Sequence, residues 1–224
     1  MSATAVIMAA PKTSALAAID DLELAALISS KICHDVIGPV GAIHTGLEVL
    51  DDDDDEQSRA YALEMIRSFT AQASAKVQFA RFAFGAAGSV GSTVDTGNAE
   101  QIARGFIGQG KHKLSWKVPR GQMSKDKTKL LLNLIACAVT SLTRGGEIVA
   151  SIRGTLTDPA VEVRCIGPGA RMPQHLREFL TTPETHKIDA LSVQPYYTCR
   201  LARMCGLRLS VALEGVDVVM LAVR

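Results

Sequence analysis

The sequence predicts an α plus α/β protein, in which a helical hairpin pairs with a second copy as a four-helix bundle and is followed by an α/β sandwich. Two long segments with apolar residues three and four apart come first, separated by an acidic run. A glycine- and serine-rich stretch then leads into a region of alternating β-like and helical runs. We expect a tail over residues 1–18, the hairpin over 19–87, a linker over 88–97 and the α/β domain over 98–224.

The first helical segment carries a histidine opposite its apolar stripe. A helix turns about 100° per residue, so six apolar residues fall within roughly 40° of one direction. These residues are Ile32, Val36, Val40, Ile43, Leu47 and Leu50. His34 lies about 160° from the centre of the stripe, on the solvent side. A lone helical histidine is usually just a solvated side chain, but the nearby proline and glycines favour a functional role for His34.

The acidic run at residues 51–56 predicts the turn of the hairpin, because neighbouring carboxylates repel one another. A calcium loop is the alternative, but the run lacks the glycine and terminal glutamate spacing of such loops. Apolar spacing then predicts a second helix, with Ala62, Met65, Ile66, Phe69, Ala73, Val77, Ala80 and Phe84 along one stripe. Two such helices cannot bury both stripes alone, so we expect a homodimer.

The remainder of the chain favours a one-sided sheet with helices packed on it. Strands are predicted at residues 114–118, 146–152, 161–166, 207–213 and 216–223, and the clearest helix at 126–143. The segment GAAGSVGSTVDTG, at residues 85–97, has little apolar periodicity and predicts the linker.

Composition excludes several classes of function. A net charge of +1 gives no concentrated basic face, so we expect no nucleic-acid partner. The five cysteines form no CxxC pair, which argues against a disulfide framework and against a zinc site. No apolar run reaches the roughly 18 residues of a spanning helix, and the first residues lack the basic start of a secretory signal. We therefore expect a soluble cytoplasmic protein that does not contact a membrane.

Residues 33–39, CHDVIGP, resemble the phosphoacceptor box of histidine kinases, where an acidic residue follows the histidine and a proline stands five positions after it. The resemblance implies that His34 accepts phosphate on a hairpin that dimerises into a four-helix bundle. Asp35 would then orient the imidazole or support its charged form. These kinases commonly carry Asn or Thr four residues after the histidine, for dephosphorylating the partner. Gly38 stands there, so the resemblance supports transfer more than phosphatase activity.

Residues 130–140 resemble the asparagine box of the kinase ATP-binding domain. That box has two asparagines four residues apart, the second holding magnesium, and a basic residue three further on. Asn133 matches the first asparagine, while Cys137 and Thr140 stand in place of the second asparagine and the base. A thiol is a poor ligand for magnesium, which prefers oxygen.

Residues 165–169, CIGPG, resemble the aspartate-x-glycine-x-glycine box of the same domain. Gly167 and Gly169 remain, but Cys165 replaces the aspartate that pairs with the adenine amino group. Residues 192–197 take the place of the glycine-rich phosphate loop. Phosphoryl transfer from ATP depends on metal and positioning. We therefore expect no ATP, no other cofactor and no metal on this chain.

A kinase-like dimer with a phosphoacceptor and no ATP site is similar to the histidine phosphotransferases of the ChpT type, over residues 22–224. This resemblance implies a phosphorelay in bacterial cell-cycle control. His34 would accept phosphate from the receiver domain of a hybrid histidine kinase and pass it to response-regulator receivers, which bring their own magnesium. Two alternatives stay open: a non-enzymatic dimer that docks receivers, and a divergent ATP-dependent histidine kinase.

The helical wheel also predicts a face on which receivers dock, around His34. Its members are Leu27, Lys31, Ile37, Gly38, Gly41 and Thr45. Leu27 would be an exposed apolar side chain, as a transient contact surface requires. Two glycines within a helix are costly, so we expect them to let a receiver approach the backbone. The alternative is that they only relieve crowding near Pro39. The second domain would add a smaller flanking contact.

Overall fold

The computed structural model describes residues 7–9, 19–52, 55–85, 92–108, 110–182 and 187–224. The hairpin consists of α1 (Asp21–Asp52) and α2 (Glu56–Ala83). The two helices are antiparallel, because Asp35 lies beside Lys76 while Gly46 lies beside Ile66. Gly46 marks their closest approach: a Cβ there would lie 2.7 Å from Cγ1 of Ile66.

The turn of the hairpin is shorter than predicted. Asp51 and Asp52 are the last residues of α1, and residues 53–54 lie outside the described part of the chain. Asp55 caps α2 by accepting a hydrogen bond from the backbone N–H of Ser58. A side chain across the turn stabilises the end of α1, where Arg59 donates to the carbonyl of Leu50 at 2.6 Å. The exposed carboxylates of the last turn remain solvated, and the helix tolerates them.

The predicted linker is too long at its C-terminal end. Residues 93–97 already belong to the second domain, as strand β2 (Thr93–Asp95) and the start of helix α3 (Thr96–Ile107). The polar sequence there is a helix cap rather than a loop, because the Asp95 carboxylate accepts from the N–H of Gly97 at 2.8 Å. Residues 86–91 lie outside the described part of the chain.

The second domain contains a six-stranded sheet. Its strands are β1 (Ile7–Ala9), β3 (His112–Trp116), β5 (Gly146–Gly154), β6 (Pro159–Ile166), β7 (Arg208–Glu214) and β8 (Asp217–Val223). Their order is β1-β7-β8-β6-β5-β3, with β3 and β5 parallel and every other neighbouring pair in this order antiparallel. A separate pair joins β2 to β4 (Gln122–Ser124). All five strands predicted from the sequence are present.

Strand β1 lies within residues 1–18, which the sequence predicts to be a tail. That prediction is wrong for residues 7–9, which belong to the sheet. The strand pairs antiparallel with β7, with Met8 opposite Val211. Three residues are too few to show an alternating pattern, so the pairing depends on the exposed edge of β7. The neighbouring residues 1–6 and 10–18 are outside the described ranges.

Three further helices complete the domain: α4 (Lys125–Ser141), α5 (Gln174–Thr181) and α6 (Val193–Met204). Helix α4 is the centre of the core, with contacts to the sheet, to α6 and to α2. Its side chains from residue 128 to residue 138 are buried on all faces, among them Leu130, Leu131, Leu132, Leu134 and Ile135. The sequence places this helix at residues 126–143, close to its observed bounds.

The hairpin packs directly against the second domain. The rings of Phe79 and Phe106 stack with centroids 3.9 Å apart, joining α2 to α3. Near the start of α1, Arg200 of α6 forms an ion pair with Asp21 at 2.8 Å. These contacts place the histidine-bearing helix beside the edge of the α/β domain.

Helix α1 is long and apolar enough, by length and composition, to cross a membrane. It is the one such helix in the described ranges. The same property is found in helices that pack into soluble bundles, and α1 carries His34, Lys31 and Asp35 near its middle. It packs along α2.

Candidate functional site

His34 lies in the middle of α1 with 72% of its side chain exposed. Its Nδ1 is 3.7 Å from Oδ1 of Asp35, which is too long for a hydrogen bond. The imidazole therefore projects into solvent, as the helical wheel predicts.

Two lysines, one from each helix of the hairpin, donate hydrogen bonds to Asp35. Its carboxylate accepts from Nζ of Lys31, at 2.6 Å and 2.5 Å to the two oxygens. Its backbone carbonyl accepts from Nζ of Lys76 at 2.9 Å. The carboxylate is thus already used by Lys31, and the predicted orientation of His34 by Asp35 has no direct hydrogen bond in this structure.

Four of the six predicted docking residues are exposed near His34. They are Ile37, Gly38, Gly41 and Thr45, with Ile37 70% exposed. A Cβ added at Gly38 or Gly41 would meet no atom within 4 Å, apart from the helix's own backbone. The surface of α1 beside His34 is therefore accessible, and no side chain protrudes from it at Gly38 or Gly41.

The other two predicted docking residues point elsewhere. Leu27 is partly buried against the hydrophobic core, and only 17% of the Lys31 side chain is exposed. The prediction that both lie on the solvent side is wrong, because Leu27 packs against the hydrophobic core and the ammonium of Lys31 pairs with Asp35. A helical wheel describes one helix, so it cannot show which side chains are covered by segments that lie far away in the sequence. The exposed surface extends from His34 towards the C-terminal end of α1.

Asn133, the asparagine that matches the kinase box, is completely buried. Its amide nitrogen donates to the carbonyl of Ala83 at 3.2 Å and to that of Lys129 at 2.9 Å. Its oxygen accepts from Gln194 at 3.5 Å. Asn133 thus fastens the end of α2 to α4 and points away from solvent.

The two cysteines in the former nucleotide boxes are buried thiols. Burial raises the pKa of both Cys137 and Cys165 to about 12. The sulfur of Cys137 lies 3.7 Å from the hydroxyl of Thr198, and Thr140 donates to the carbonyl of Cys137. The ligand form of cysteine is the thiolate, and burial disfavours that charge in both side chains.

Gly167 and Gly169 lie in a turn directly after β6. Gly169 has φ of 70°, a conformation that favours glycine. A Cβ at Gly167 would lie 2.7 Å from the carbonyl oxygen of Gly145, so only a glycine fits closely there. These residues serve the packing of the loop after β6.

A cleft of about 600 Å³ lies between part of the hairpin and the second domain. Lys31, Asp35 and Lys76 line its hairpin side, and Phe106 and Gln194 line the side of the second domain. Residues 193–197, near the position of the kinase phosphate loop, form the first turn of α6, where Val193 and Tyr196 are buried. Within the described residues, no group of three or more His, Cys, Asp or Glu side chains is placed to hold a metal ion.

Two residues of the hairpin were not selected from the sequence. Lys76 contacts the backbone of Asp35, and Gly46 allows the close approach of α1 and α2. Both depend on the register between the helices. The proline in α1, which removes a backbone donor, is the sequence signal that could have prompted a search for Lys76.

Comparison with known proteins agrees with this architecture. The family model of the histidine phosphotransferase C-terminal domain matches residues 96–217, more than half of the chain. The protein phosphotransferase ChpT of Brucella abortus (strain 2308) is 40% identical over 200 residues, which cover 88% of this chain and 94% of that protein.

A solved bacterial phosphotransferase superposes with a TM-score of 0.83 at 36% identity, covering 93% of this chain and all of that one. The histidine kinase AdeS of Acinetobacter baumannii aligns with a TM-score of 0.43 at 13% identity, covering 84% of this chain and 95% of that one. The matching family model, the identity over most of both sequences and the shared fold show that this chain belongs to the histidine phosphotransferase family and functions in a phosphorelay.

Proposed function

We propose that His34 carries a phosphoryl group between receiver domains. The donor is the receiver of a hybrid histidine kinase, and the acceptors are the receivers of response regulators. The observation that supports this most is the exposed imidazole of His34, on a surface of α1 opened by Gly38 and Gly41. A receiver can reach this imidazole without displacing other side chains of the hairpin.

The reaction needs an accessible, neutral imidazole nitrogen. That nitrogen attacks the phosphorus of the aspartyl phosphate as the P–O bond to the carboxylate breaks. The carboxylate leaves with the electron pair, and the second ring nitrogen releases its proton. The next receiver's aspartate attacks the phosphohistidine, and the imidazole leaves and regains a proton. Magnesium belongs to the receivers in this scheme. Asp35, 3.7 Å from the ring and paired with Lys31, contributes a local charge.

We further propose that the chain neither binds ATP nor acts as an ATP-dependent kinase. The buried thiols of Cys137 and Cys165 and the helical start of α6 support this, since none of them suits a nucleotide. Calorimetric titration with ATP and magnesium should give no heat of binding at millimolar nucleotide. Saturable binding, followed by phosphate on His34, would instead support a divergent histidine kinase.

Dimerisation through the hairpin belongs to the same proposal. In the single chain, Val40 and Leu47 of the predicted inner stripe of α1 are 50% and 48% exposed. On α2, Tyr61, Leu63 and Val77 are also exposed. A second hairpin would cover such apolar residues in a four-helix bundle. We place this dimer in the cytoplasm and, as the family resemblance implies, in cell-cycle control.

The central experiment is to incubate the full chain with candidate phosphorylated receivers and to detect acid-labile phosphate on it. His34→Gln should abolish the signal without loss of fold, because the side chain is exposed. His44→Gln is the matched control, since this histidine of α1 is equally exposed, at 74%. Loss of phosphate in the His44 variant would contradict the assignment. If His34→Gln affected the receivers as the wild type does, the chain would be a docking protein.

A further inference from the structure

The helix that carries His34 lacks one backbone hydrogen bond. Pro39 lies inside α1, five residues after His34. In an α-helix, the N–H of residue 39 would donate to the carbonyl of residue 35, but proline has no N–H and its ring crowds that carbonyl. The carbonyl of Asp35 therefore needs another donor, because an unpaired backbone group away from water is costly.

Lys76 provides the donor from the other helix of the hairpin. Its Nζ lies 2.9 Å from the carbonyl oxygen of Asp35, 41 residues away in sequence. The side chain is partly buried and borders the space lined by Phe79 and Phe106. Lys31 meanwhile holds the carboxylate of the same residue. Two lysines thus fix both polar groups of Asp35, one from α1 and one from α2.

This contact lies next to the reacting side chain. A missing backbone hydrogen bond is a common cause of bending in helices, and here it falls in the turn that begins at Asp35. Group transfer needs the attacking nitrogen in a near-attack position, and a displacement of about 1 Å can lower the rate about a hundredfold. The hydrogen bond from Lys76 of α2 therefore constrains the turn of α1 that carries the imidazole.

We propose that Lys76 is a positioning residue for transfer through His34. Its ammonium replaces the backbone hydrogen bond that Pro39 cannot give to Asp35, and so holds the turn of α1 that carries the phosphoacceptor. The proposal rests on the phosphoacceptor role proposed for His34. It differs from a direct role in binding the phosphoryl group, because it requires only a donor to the carbonyl of Asp35.

Because the proposal requires only a donor to the carbonyl of Asp35, substitutions that remove, keep or restore such a donor test it in the full-length protein. Lys76→Met removes the donor, Lys76→Arg retains one, and Pro39→Ala restores the N–H of the helix. Arg67→Met is the control, since Arg67 lies nine residues before Lys76 and so about 180° around α2. The measurement is single-turnover transfer from a phosphorylated receiver that phosphorylates the wild type, with its rate at saturation and its half-saturating concentration recorded separately.

We expect Lys76→Met to lower the saturated rate about tenfold while the half-saturating concentration is unchanged. Lys76→Arg and Arg67→Met should stay within about twofold of the wild type. The double variant Pro39→Ala with Lys76→Met should transfer as fast as Pro39→Ala alone. A wild-type rate in Lys76→Met, or a double variant slower than Pro39→Ala alone, would overturn the proposal.

If Pro39→Ala alone stops transfer, amide hydrogen exchange provides a second measurement that does not depend on transfer. The amides of residues 34–38 and 40–43 should exchange faster in Lys76→Met than in the wild type, and this increase should vanish in the double variant. Equal exchange in Lys76→Met and wild type would refute the positioning role. His34→Gln separates the two levels of the argument: continued phosphorylation of that variant refutes the proposed phosphoacceptor itself.

Discussion

At the scale of single residues, exposure alone does not identify the phosphoacceptor. His34 and His44 lie on the same helix with side chains 72% and 74% exposed. His44 lies 3.3 Å from Glu48, one turn further along the helix, as an ordinary surface pair does. His34 is followed by a proline and by two glycines whose surroundings are open. The neighbours of the imidazole, rather than its accessibility, support the choice of His34.

The three glycines of α1 differ in what surrounds them, and this predicts opposite effects of alanine. Gly38→Ala and Gly41→Ala should each stabilise the protein by up to about 1 kcal/mol, because alanine is the better helix former. Gly46→Ala should destabilise it by about 1–3 kcal/mol, since its Cβ would lie 2.7 Å from Ile66. Urea unfolding of the three variants checks both signs. Equal effects at all three positions would contradict the described helix contact.

Larger side chains at the open positions test the docking face. Gly38→Phe and Gly41→Phe should weaken transfer from receivers, because the added ring covers the surface beside His34, while the fold is retained. The measurement is the half-saturating receiver concentration, with circular dichroism as the check on folding. Unchanged transfer in both variants would place the docking face elsewhere. Leu27→Glu is unsuitable for this test, because Leu27 packs against the core.

At the scale of elements, helix α4 fastens the hairpin to the α/β domain. Asn133 holds the carbonyl of Ala83, and Lys129 donates to the carbonyl of Gly85 just beyond the end of α2. Lys129 is almost fully buried, and this burial lowers the pKa of its ammonium. A box that serves nucleotide binding in kinases thus contributes here to a contact between elements.

Removing this contact should be costly. Asn133→Ala should lower the free energy of unfolding by about 1–3 kcal/mol, because it removes the side-chain donor to the buried carbonyl of Ala83. Thermal unfolding of the full chain measures the loss. Gln78→Ala is the matched control, since that exposed amide donates within α2 to Ser74 and should change stability by less than about 0.5 kcal/mol. A similar small effect of both variants would show that Asn133 does not fasten the hairpin.

At the scale of the whole molecule, a single chain leaves part of the apolar face of its hairpin exposed to solvent. Val40 and Leu47 lie one heptad apart on α1, and each is about half exposed. A charge placed there should have little effect on a monomer and a large effect on a bundle. The proposed dimer therefore makes a clear prediction about association.

Val40→Glu and Leu47→Glu should convert the dimer into a monomer at micromolar concentration, because a buried carboxylate without a partner is strongly unfavourable. Sedimentation equilibrium measures the change. Val216→Glu is the control, since this valine is 79% exposed in the turn between β7 and β8, far from the hairpin in sequence. A wild-type chain that sediments as a monomer would refute the dimer outright.

The sequence by itself determined the helices of the hairpin, the main strands, the central helix α4 and the exposed position of His34. These features follow from local periodicity, because the spacing of apolar residues reports the faces of one element. The absence of an ATP site stays a prediction, since it depends on comparing residue types with the kinase boxes position by position. The family resemblance added the order of the two domains.

Tertiary structure alone decided the features that depend on contacts between distant segments. The core partly covers Leu27, pairing with the edge of β7 makes a strand of residues 7–9, and the hairpin register brings Lys76 to Asp35. A pattern within one helix or strand carries no information about which neighbour will cover it. Such contacts are set by the free energy of packing the whole chain, and only the folded structure reveals them.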